Sequence, residues 1–138
     1  MIYIIEGPDG AGKTTLVEKL QKVHAGAKVM HFGTPATPEE AKNYWRTYLR
    51  ALKENTSDVV IFDRSWYSDM VYGPVMRGKE EMTIEHKEIL ELAVKALGGG
   101  IVIYCTGNQK TLWSRCTRRG ESYLRNADEH KAICNQLY

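Results

Sequence analysis

A glycine-rich segment near the start of the chain restricts the fold more than any other feature of the sequence. Residues 7–14 are Gly-Pro-Asp-Gly-Ala-Gly-Lys-Thr, with glycine, glycine, lysine and threonine at the positions that define a Walker A loop. An apolar run, residues 1–5, precedes the segment, and a helical pattern follows it. In this context of strand, loop and helix, backbone N–H groups converge on phosphate oxygens. The sequence therefore predicts a P-loop phosphotransferase.

The residue types in this loop suit ATP and Mg²⁺. Glycine is needed wherever a side chain would block the approach of the phosphates. Lys13 can reach the β and γ phosphates as a cation, and the Thr14 hydroxyl can ligate Mg²⁺. The residues predicted to bind the ATP phosphates are Gly7, Gly10, Ala11, Gly12, Lys13, Thr14 and Thr15.

Length and composition fit one globular domain over residues 1–138. Of the 138 residues, 43% are hydrophobic and 26% are charged, and the formal net charge of +2 is too mild to require a nucleic-acid partner. The three cysteines form no Cys-x-x-Cys pair, which favours a reducing cytoplasm over a disulfide framework or a zinc site. No run approaches the roughly 20 apolar residues of a membrane span, so no membrane partner is predicted.

Apolar strands alternate with amphipathic helices along the chain. Strands are predicted at residues 1–5, 28–32, 58–63 and 101–105, and all but the second have the continuous apolar runs of strands buried on both faces. The helices between them include one opened by a capping-box pattern at 37–40, one interrupted by Gly-Pro at 73–74, and one over 80–97. This alternation predicts an α/β three-layer sandwich with a parallel sheet. Ligands of such a sheet bind beyond the carboxyl ends of its strands.

Asp63 and Arg64 end the third predicted strand at that edge of the sheet. A carboxylate in this place can hold Mg²⁺ or its waters, as a Walker B residue does. A guanidinium suits an acceptor phosphate because it binds two oxygens at once and keeps its charge. We predict Thr14 and Asp63 as metal ligands, and Lys13, Asp63 and Arg64 as catalytic residues. The alternative is an exposed Asp-Arg pair in a loop.

Two segments together resemble the motifs of thymidylate kinases: residues 6–15, and residues 63–73 with the sequence Asp-Arg-Ser-Trp-Tyr-Ser-Asp-Met-Val-Tyr-Gly. Residues 65–78 are also similar to small phage nucleotide kinases, and deoxynucleoside kinases share a similar Arg-Ser-x-x-Ser pattern. The resemblance implies a P-loop kinase fold with ATP and Mg²⁺, in the host cytoplasm if the protein is phage-encoded. It implies these acceptor-site roles: the sugar or the metal shell for Asp9, the acceptor phosphate for Arg64, and the sugar and base pocket for Ser68 and Tyr72.

The same resemblance implies a lid at about residues 108–122, which would close over ATP and bring arginine to the transferring phosphoryl group. The lid residues implied as catalytic are Arg115, Arg118 and Arg119. The alternatives for this basic cluster are a solvated helix face and a patch that binds nucleic acid. Relatives would continue past Tyr138 with a further edge strand. Without that strand an unpaired sheet edge favours association, so a homodimer is an open alternative.

Three further residues are candidates for the acceptor site, each with an ordinary alternative. Phe32 and Trp45 can stack on a base, although aromatic residues on a helix stripe more often belong to the core. Arg77 can contact the acceptor phosphate or face solvent. The second strand ends without the glutamate that would serve as general base in a nucleoside kinase, which favours a monophosphate acceptor.

The leading hypothesis is Mg²⁺-dependent transfer of the ATP γ-phosphoryl group to a deoxynucleoside monophosphate. The small-molecule acceptor that we favour is dTMP or a modified dUMP, although Gly73-Pro74 stands where thymidylate kinases usually continue with glutamine. A deoxynucleoside kinase, or a kinase of a modified base or 5′ end in DNA, is the first alternative. A nucleotide-binding module without catalysis is the alternative of another class.

Overall fold

The computed structural model describes residues 1–8, 10–78 and 81–105, excluding the side chains of residues 76 and 77. The strands are β1 (Ile2–Glu6), β2 (Lys28–His31), β3 (Val60–Asp63) and β4 (Gly100–Tyr104). The helices are α1 (Lys13–Val23), α2 (Pro38–Glu54), α3 (Trp66–Tyr72) and α4 (Ile84–Ala96), and a π-helical turn (Gly73–Arg77) follows α3. Within these ranges, no helix combines the length and the apolar character needed to cross a membrane.

The four strands form a parallel sheet in the order β2-β3-β1-β4. The connection from β1 to β2 crosses β3 toward one side of the sheet. The connection from β3 to β4 crosses β1 toward the opposite side. Ligands of open parallel sheets bind in the crevice where neighbouring connections diverge in this way. The register pairs Ile5 and His31 with Asp63, so the predicted site residues after β1 and β3 share one sheet edge.

The sheet side chains divide between two apolar layers, as the alternation of a strand requires. On one face, Ile5 and Ile61 pack against Val17 of α1. On the other face, Ile4 and Phe62 pack against buried residues of α2, α3 and α4, namely Tyr44, Tyr48, Leu52, Trp66, Leu90 and Val94. The predicted three-layer α/β sandwich with a parallel sheet is therefore confirmed.

The prediction that the fourth strand is buried on both faces is wrong for the described part of the chain. Ile101, Val102 and Tyr104 are 46%, 36% and 48% exposed. Within the described ranges β4 pairs with a single strand, β1. A continuous apolar run indicates that a strand can be buried on both faces. Whether it is buried depends on the elements that pack against it.

The predicted interruption at Gly73-Pro74 widens the helix rather than ending it. The Gly73 N–H donates to the Asp69 carbonyl oxygen four residues earlier, as in an α-helix. The Gly78 N–H donates to the Gly73 carbonyl oxygen five residues earlier, which is the π-helical spacing, and also to that of Pro74 at 3.1 Å. Proline lacks an N–H and cannot bond to the carbonyl oxygen four residues earlier, and the change from α-helical to π-helical geometry falls at this position. Gly78, with φ 67°, then ends the segment in a left-handed conformation.

The predicted capping box of α2 is present with its second half shifted by one residue. Thr37 Oγ1 accepts a hydrogen bond from the Glu40 N–H at 3.1 Å. The Glu40 Oε2 atom accepts from the Ala36 N–H at 3.0 Å, rather than from the cap residue itself. The helix α4 begins later than predicted because Thr83 caps its first turn.

Candidate active site

The loop between β1 and α1 is shaped by three glycines. Gly7, Gly10 and Gly12 have φ angles of 147°, 86° and 87°, which residues with a side chain rarely adopt. Gly7 has a second constraint, because a Cβ atom added there would lie 2.4 Å from the backbone oxygen of Cys105. The loop therefore passes close to the end of β4. It leads into the N-terminus of α1, where the helix dipole favours an anion.

The cation and the hydroxyls of the loop lie at the start of α1. Lys13 Nζ donates to the Pro8 carbonyl oxygen at 3.3 Å, so the lysine side chain folds back over the loop. The Ala11 N–H donates to the same carbonyl oxygen at 3.2 Å. Thr14 and Thr15 are exposed. The structure thus brings the predicted phosphate-binding residues together in one loop, and their binding of ATP stays a prediction.

Asp63, predicted as a metal ligand, is paired with a histidine from the neighbouring strand. Its Oδ2 atom lies 2.9 Å from His31 Nδ1. The His31 side chain is 71% exposed and that of Asp63 is 19% exposed. A pair this close to water stabilises a fold by about 0–1 kcal/mol. The contact occupies one carboxylate oxygen of Asp63 at the sheet edge where the metal was predicted.

Thr14 and Asp63 fit a magnesium ion that is held mainly by phosphate oxygens and water. In kinases Mg²⁺ commonly takes one or two protein ligands and keeps several waters. No cluster of three or more His, Cys, Asp or Glu side chains that could hold a metal occurs among the residues that the structure describes. The role of Thr14 and Asp63 as metal ligands stays a prediction.

Arg64 has a left-handed backbone with φ 68°, which is unique among the described residues other than glycine. This conformation costs a residue with a side chain roughly 1–2 kcal/mol, so the surroundings must hold it. The Arg64 N–H donates to the Ile5 carbonyl oxygen at 3.0 Å. Its Nη1 atom lies 3.4 Å from the Gly7 carbonyl oxygen, and the guanidinium carbon lies 5.2 Å from the ring centre of Tyr72. The arginine predicted to bind the acceptor phosphate therefore borders the phosphate loop.

Glu6, for which the sequence patterns predict no role, links the two motifs. It is the last residue of β1 and is fully buried. Its Oε1 accepts from Ser65 Oγ at 2.6 Å, and its Oε2 accepts from Ser68 Oγ. Burial raises the pKa of Glu6, while these two hydroxyls and the charges of Arg64 and Lys13 act in the opposite direction. An acidic residue ending an apolar strand could have signalled this, because a buried carboxylate needs partners.

The two aromatic candidates for base stacking have protein partners. The half-buried Phe32 ring packs against the core, 4.5 Å from Tyr48 and 4.8 Å from Phe62 between ring centres. The Trp45 ring is half-buried and stacks on His86 at 4.8 Å, with an angle of 11° between the planes. These contacts fit the ordinary alternative of a core role. Base stacking by either ring stays a prediction.

Several predicted site residues lie outside the described part of the chain. These are Asp9, Arg115, Arg118 and Arg119, together with the lid at residues 108–122. The backbone of Arg77 lies in the π-helical turn, and its side chain is not among those described. The roles predicted for all of these residues stay predictions.

The arrangement of the loop and the Asp-Arg pair defines the class of the protein. A Walker A loop follows β1, and an Asp-Arg pair follows the adjacent β3 at the same edge of a parallel sheet. That is the architecture of a P-loop kinase. The model of the family Polyphosphate kinase 2 (PPK2) matches residues 1–102. The chain therefore belongs to the PPK2 family.

A curated relative comes from Acidianus bottle-shaped virus (isolate Italy/Pozzuoli), where it is named as a thymidylate kinase. It is 31% identical over 83 residues, which are 59% of this chain and 53% of the viral protein. The chain thus spans about half the length of the curated relative that it matches. Together with the family match, this finding confirms the predicted kinase class and the resemblance to thymidylate kinases.

Solved structures share the fold at low sequence identity, which shows the fold alone. YorR from Bacillus subtilis, in complex with phosphorylated GDP, has a TM-score of 0.78 at 23% identity and covers 99% of this chain and 77% of its own. Deoxyadenosine kinase from M. mycoides with bound dATP has a TM-score of 0.62 at 21% identity and covers 99% and 82%. Polyphosphate Kinase 2 from Arthrobacter aurescens TC1 has a TM-score of 0.71 at 19% identity and covers 99% and 52%.

Proposed function

We propose that the protein is a cytoplasmic kinase that transfers the γ-phosphoryl group of ATP to a deoxynucleoside monophosphate in the presence of Mg²⁺. The favoured acceptor is dTMP or a modified dUMP. One observation carries the proposal: Arg64 Nη1 lies 3.4 Å from the Gly7 carbonyl oxygen. A guanidinium suited to an acceptor phosphate therefore borders a loop suited to donor phosphates. Two phosphorylated molecules can meet end to end in this crevice.

The described residues contribute positioning and neutralisation of charge. Lys13 and the loop N–H groups hold the donor phosphates, and Arg64 holds the acceptor phosphate. Thr14 and Asp63 would hold Mg²⁺ or its waters, and the ion would supply neutralisation of phosphate charge when bound. A monophosphate acceptor brings its own nucleophilic phosphate oxygen, which needs little help from a general base.

An ADP-release assay with a panel of acceptors tests the proposal. The panel holds deoxynucleoside monophosphates, the matching nucleosides, and a DNA oligonucleotide with a 5′ hydroxyl. We expect kcat/KM for dTMP or a dUMP derivative to exceed that for any nucleoside by about 100-fold, since only the monophosphate engages Arg64. The Lys13→Ala variant supplies the background rate. Turnover of a nucleoside without turnover of any monophosphate would overturn the proposed acceptor.

The Arg64→Ala variant distinguishes a kinase from a nucleotide-binding module. Loss of a charge-assisted hydrogen bond of about 1.5–3 kcal/mol predicts an acceptor KM that rises about 10–150-fold. Calorimetry should find that the Kd for ATP changes less than about twofold, because Arg64 is not part of the phosphate loop. A wild-type protein that binds ATP but phosphorylates no member of the panel would favour the module.

The family match over residues 1–102 supports inorganic polyphosphate as a second candidate donor. Backbone N–H groups and a lysine recognise phosphate oxygens, which polyphosphate and ATP share. The same acceptor panel with polyphosphate in place of ATP distinguishes the two donors. Anion-exchange chromatography measures the nucleoside diphosphate that is formed. Product formed from polyphosphate at a rate equal to or above that from ATP would favour this second donor.

A further inference from the structure

A buried carboxylate connects the segments that carry the proposed donor and acceptor groups. We infer that Glu6 is a positioning residue, which holds Arg64 at the crevice through the hydroxyl groups of Ser65 and Ser68. The kinetic consequence of this inference rests on the proposed function. Its structural consequence rests only on contacts within the chain.

Both oxygens of Glu6 are engaged by the first turn of one short helix. Ser65 is the N-cap of α3, where its Oγ donates to Glu6 Oε1 at 2.6 Å and accepts from the Tyr67 N–H at 3.2 Å. Ser68 Oγ donates to Glu6 Oε2, and the Ser68 N–H donates to the Ser65 carbonyl oxygen at 3.1 Å. Glu6 and both serines are buried. The carboxylate therefore fixes the start of α3 relative to the end of β1.

Arg64 needs this support because its left-handed backbone, φ 68°, is disfavoured for a residue with a side chain. On the N-terminal side, the Arg64 N–H is held by the Ile5 carbonyl oxygen at 3.0 Å. On the C-terminal side, the next residue, Ser65, is held by Glu6. Both anchors belong to the last two residues of β1. Release of the second anchor favours relaxation of Arg64 to an ordinary conformation, which would move its guanidinium away from Gly7.

A second contact of the same helix supplies a matched control. The Tyr67 hydroxyl of α3 donates to Glu91 Oε1 of α4 at 2.6 Å. This bond also fastens α3 to a neighbouring element, but it does not involve Glu6, Ser65 or Arg64. The Tyr67→Phe variant therefore removes a tie of α3 while the link to β1 is kept.

Kinetics of the Glu6→Gln variant test the inference. Glutamine keeps the shape but has one acceptor oxygen in place of two, so one serine loses its preferred partner. We expect the KM for the acceptor found in the panel to rise about tenfold, while the Kd for ATP changes less than about twofold. In Tyr67→Phe, both constants should stay within about twofold of the wild type. An unchanged acceptor KM in a folded Glu6→Gln protein, or an equal loss of affinity for ATP and acceptor, would overturn the inference.

A crystal structure of the same variant tests the inference without any activity. We expect Arg64 φ to become negative and Nη1 to leave the Gly7 carbonyl oxygen. An Arg64 that keeps its conformation would refute the positioning role. If the Glu6→Gln protein does not fold, the crystal structure of Ser68→Ala, which removes one arm only, is determined in its place. The acceptor KM of that variant does not enter the test, because Ser68 is itself predicted to line the acceptor pocket. If the wild type phosphorylates nothing in the panel, the proposed function fails, and the conformation of Arg64 still decides the role of Glu6.

Discussion

The ends of β1 and β3 lie side by side, and each places the chain in an unusual backbone conformation by a different means. After β1, Gly7, Gly10 and Gly12 adopt positive φ angles at little steric cost. After β3, Arg64 adopts φ 68° with a side chain present, and contacts from β1 hold it there. The first conformation is determined by local residue type, and the second by contacts between segments that are distant in sequence. A loop whose conformation depends on glycines can be recognised in a sequence. A conformation that depends on contacts between distant segments can be recognised only in the folded structure.

Gly7→Ala has the largest expected effect and tests the β1 side of this comparison. The added Cβ would lie 2.4 Å from the Cys105 carbonyl oxygen, in addition to the strain of φ 147°. We expect the free energy of unfolding to fall by about 3 kcal/mol or more, with loss of ATP binding in calorimetry. Gly26→Ala is the control, because it has φ 84° and no atom within 4 Å of its added Cβ. The free energy of unfolding of Gly26→Ala should fall by about 1 kcal/mol. If urea denaturation finds equal decreases for the two variants, the close approach of Gly7 to Cys105 is contradicted.

Two substitutions of Arg64 measure the strain on the β3 side. Arg64→Gly and Arg64→Ala both remove the guanidinium, but only alanine keeps a Cβ at φ 68°. We expect the glycine variant to be the more stable by about 1 kcal/mol in urea denaturation. At the exposed helical residue Lys19 the order should be reversed, with alanine favoured by about 1 kcal/mol. If the alanine variant is the more stable one at position 64 as well as at position 19, Arg64 is not strained.

The pH dependence of stability tests the carboxylate that supports Arg64. Burial raises the pKa of Glu6 above its ordinary value of 4.5. The stability contribution of the protonated form is complete below pH 4.5 and is lost as pH rises toward the raised pKa of the folded state. Glutamine has no such titration, so Tm of Glu6→Gln minus Tm of the wild type should increase over that interval. A difference that stays constant between about pH 4 and pH 8 would contradict the raised pKa.

His31→Ala has the smallest expected effect. The His31 contact occupies Oδ2 of Asp63, so its removal frees an oxygen that can bind Mg²⁺ or its waters. An exposed pair is worth about 0.2–1 kcal/mol, which corresponds to a rise of about 1.4–5-fold in apparent Mg²⁺ affinity. Phosphoryl-transfer rates measured across a magnesium titration check this value. Weaker magnesium binding in the variant would show that His31 supports the metal site instead of competing with it.

The sequence predictions that the structure confirms depend on local patterns. Residues 7–14 combine glycine spacing with a preceding apolar strand and a following helix, and all of these lie within a short segment. The alternation of apolar strands and helices predicted the three-layer sandwich for a similar reason. Each element must bury its own apolar face, and few arrangements of layers allow this.

The features that sequence did not predict depend on distant parts of the chain. Glu6 meets Ser65 and Ser68, which lie 59 and 62 positions away, and no local pattern links residues at such separations. The exposure of β4 depends on which elements cover its two faces, and the apolar run of Ile101 and Val102 does not report this. Local sequence therefore located the groups predicted to bind phosphate, while the support of Arg64 required the assembled sheet.

The close approach of Gly7 to Cys105 has an evolutionary consequence. A side chain at position 7 would meet the carbonyl oxygen and the Cβ atom of residue 105, atoms that do not depend on which side chain extends from that Cβ. Substitutions at position 105 can therefore accumulate without disturbing this contact. None of them can compensate for a change at position 7, since the carbonyl oxygen is always present. Homologous sequences should therefore keep glycine at position 7, whichever residue stands at position 105.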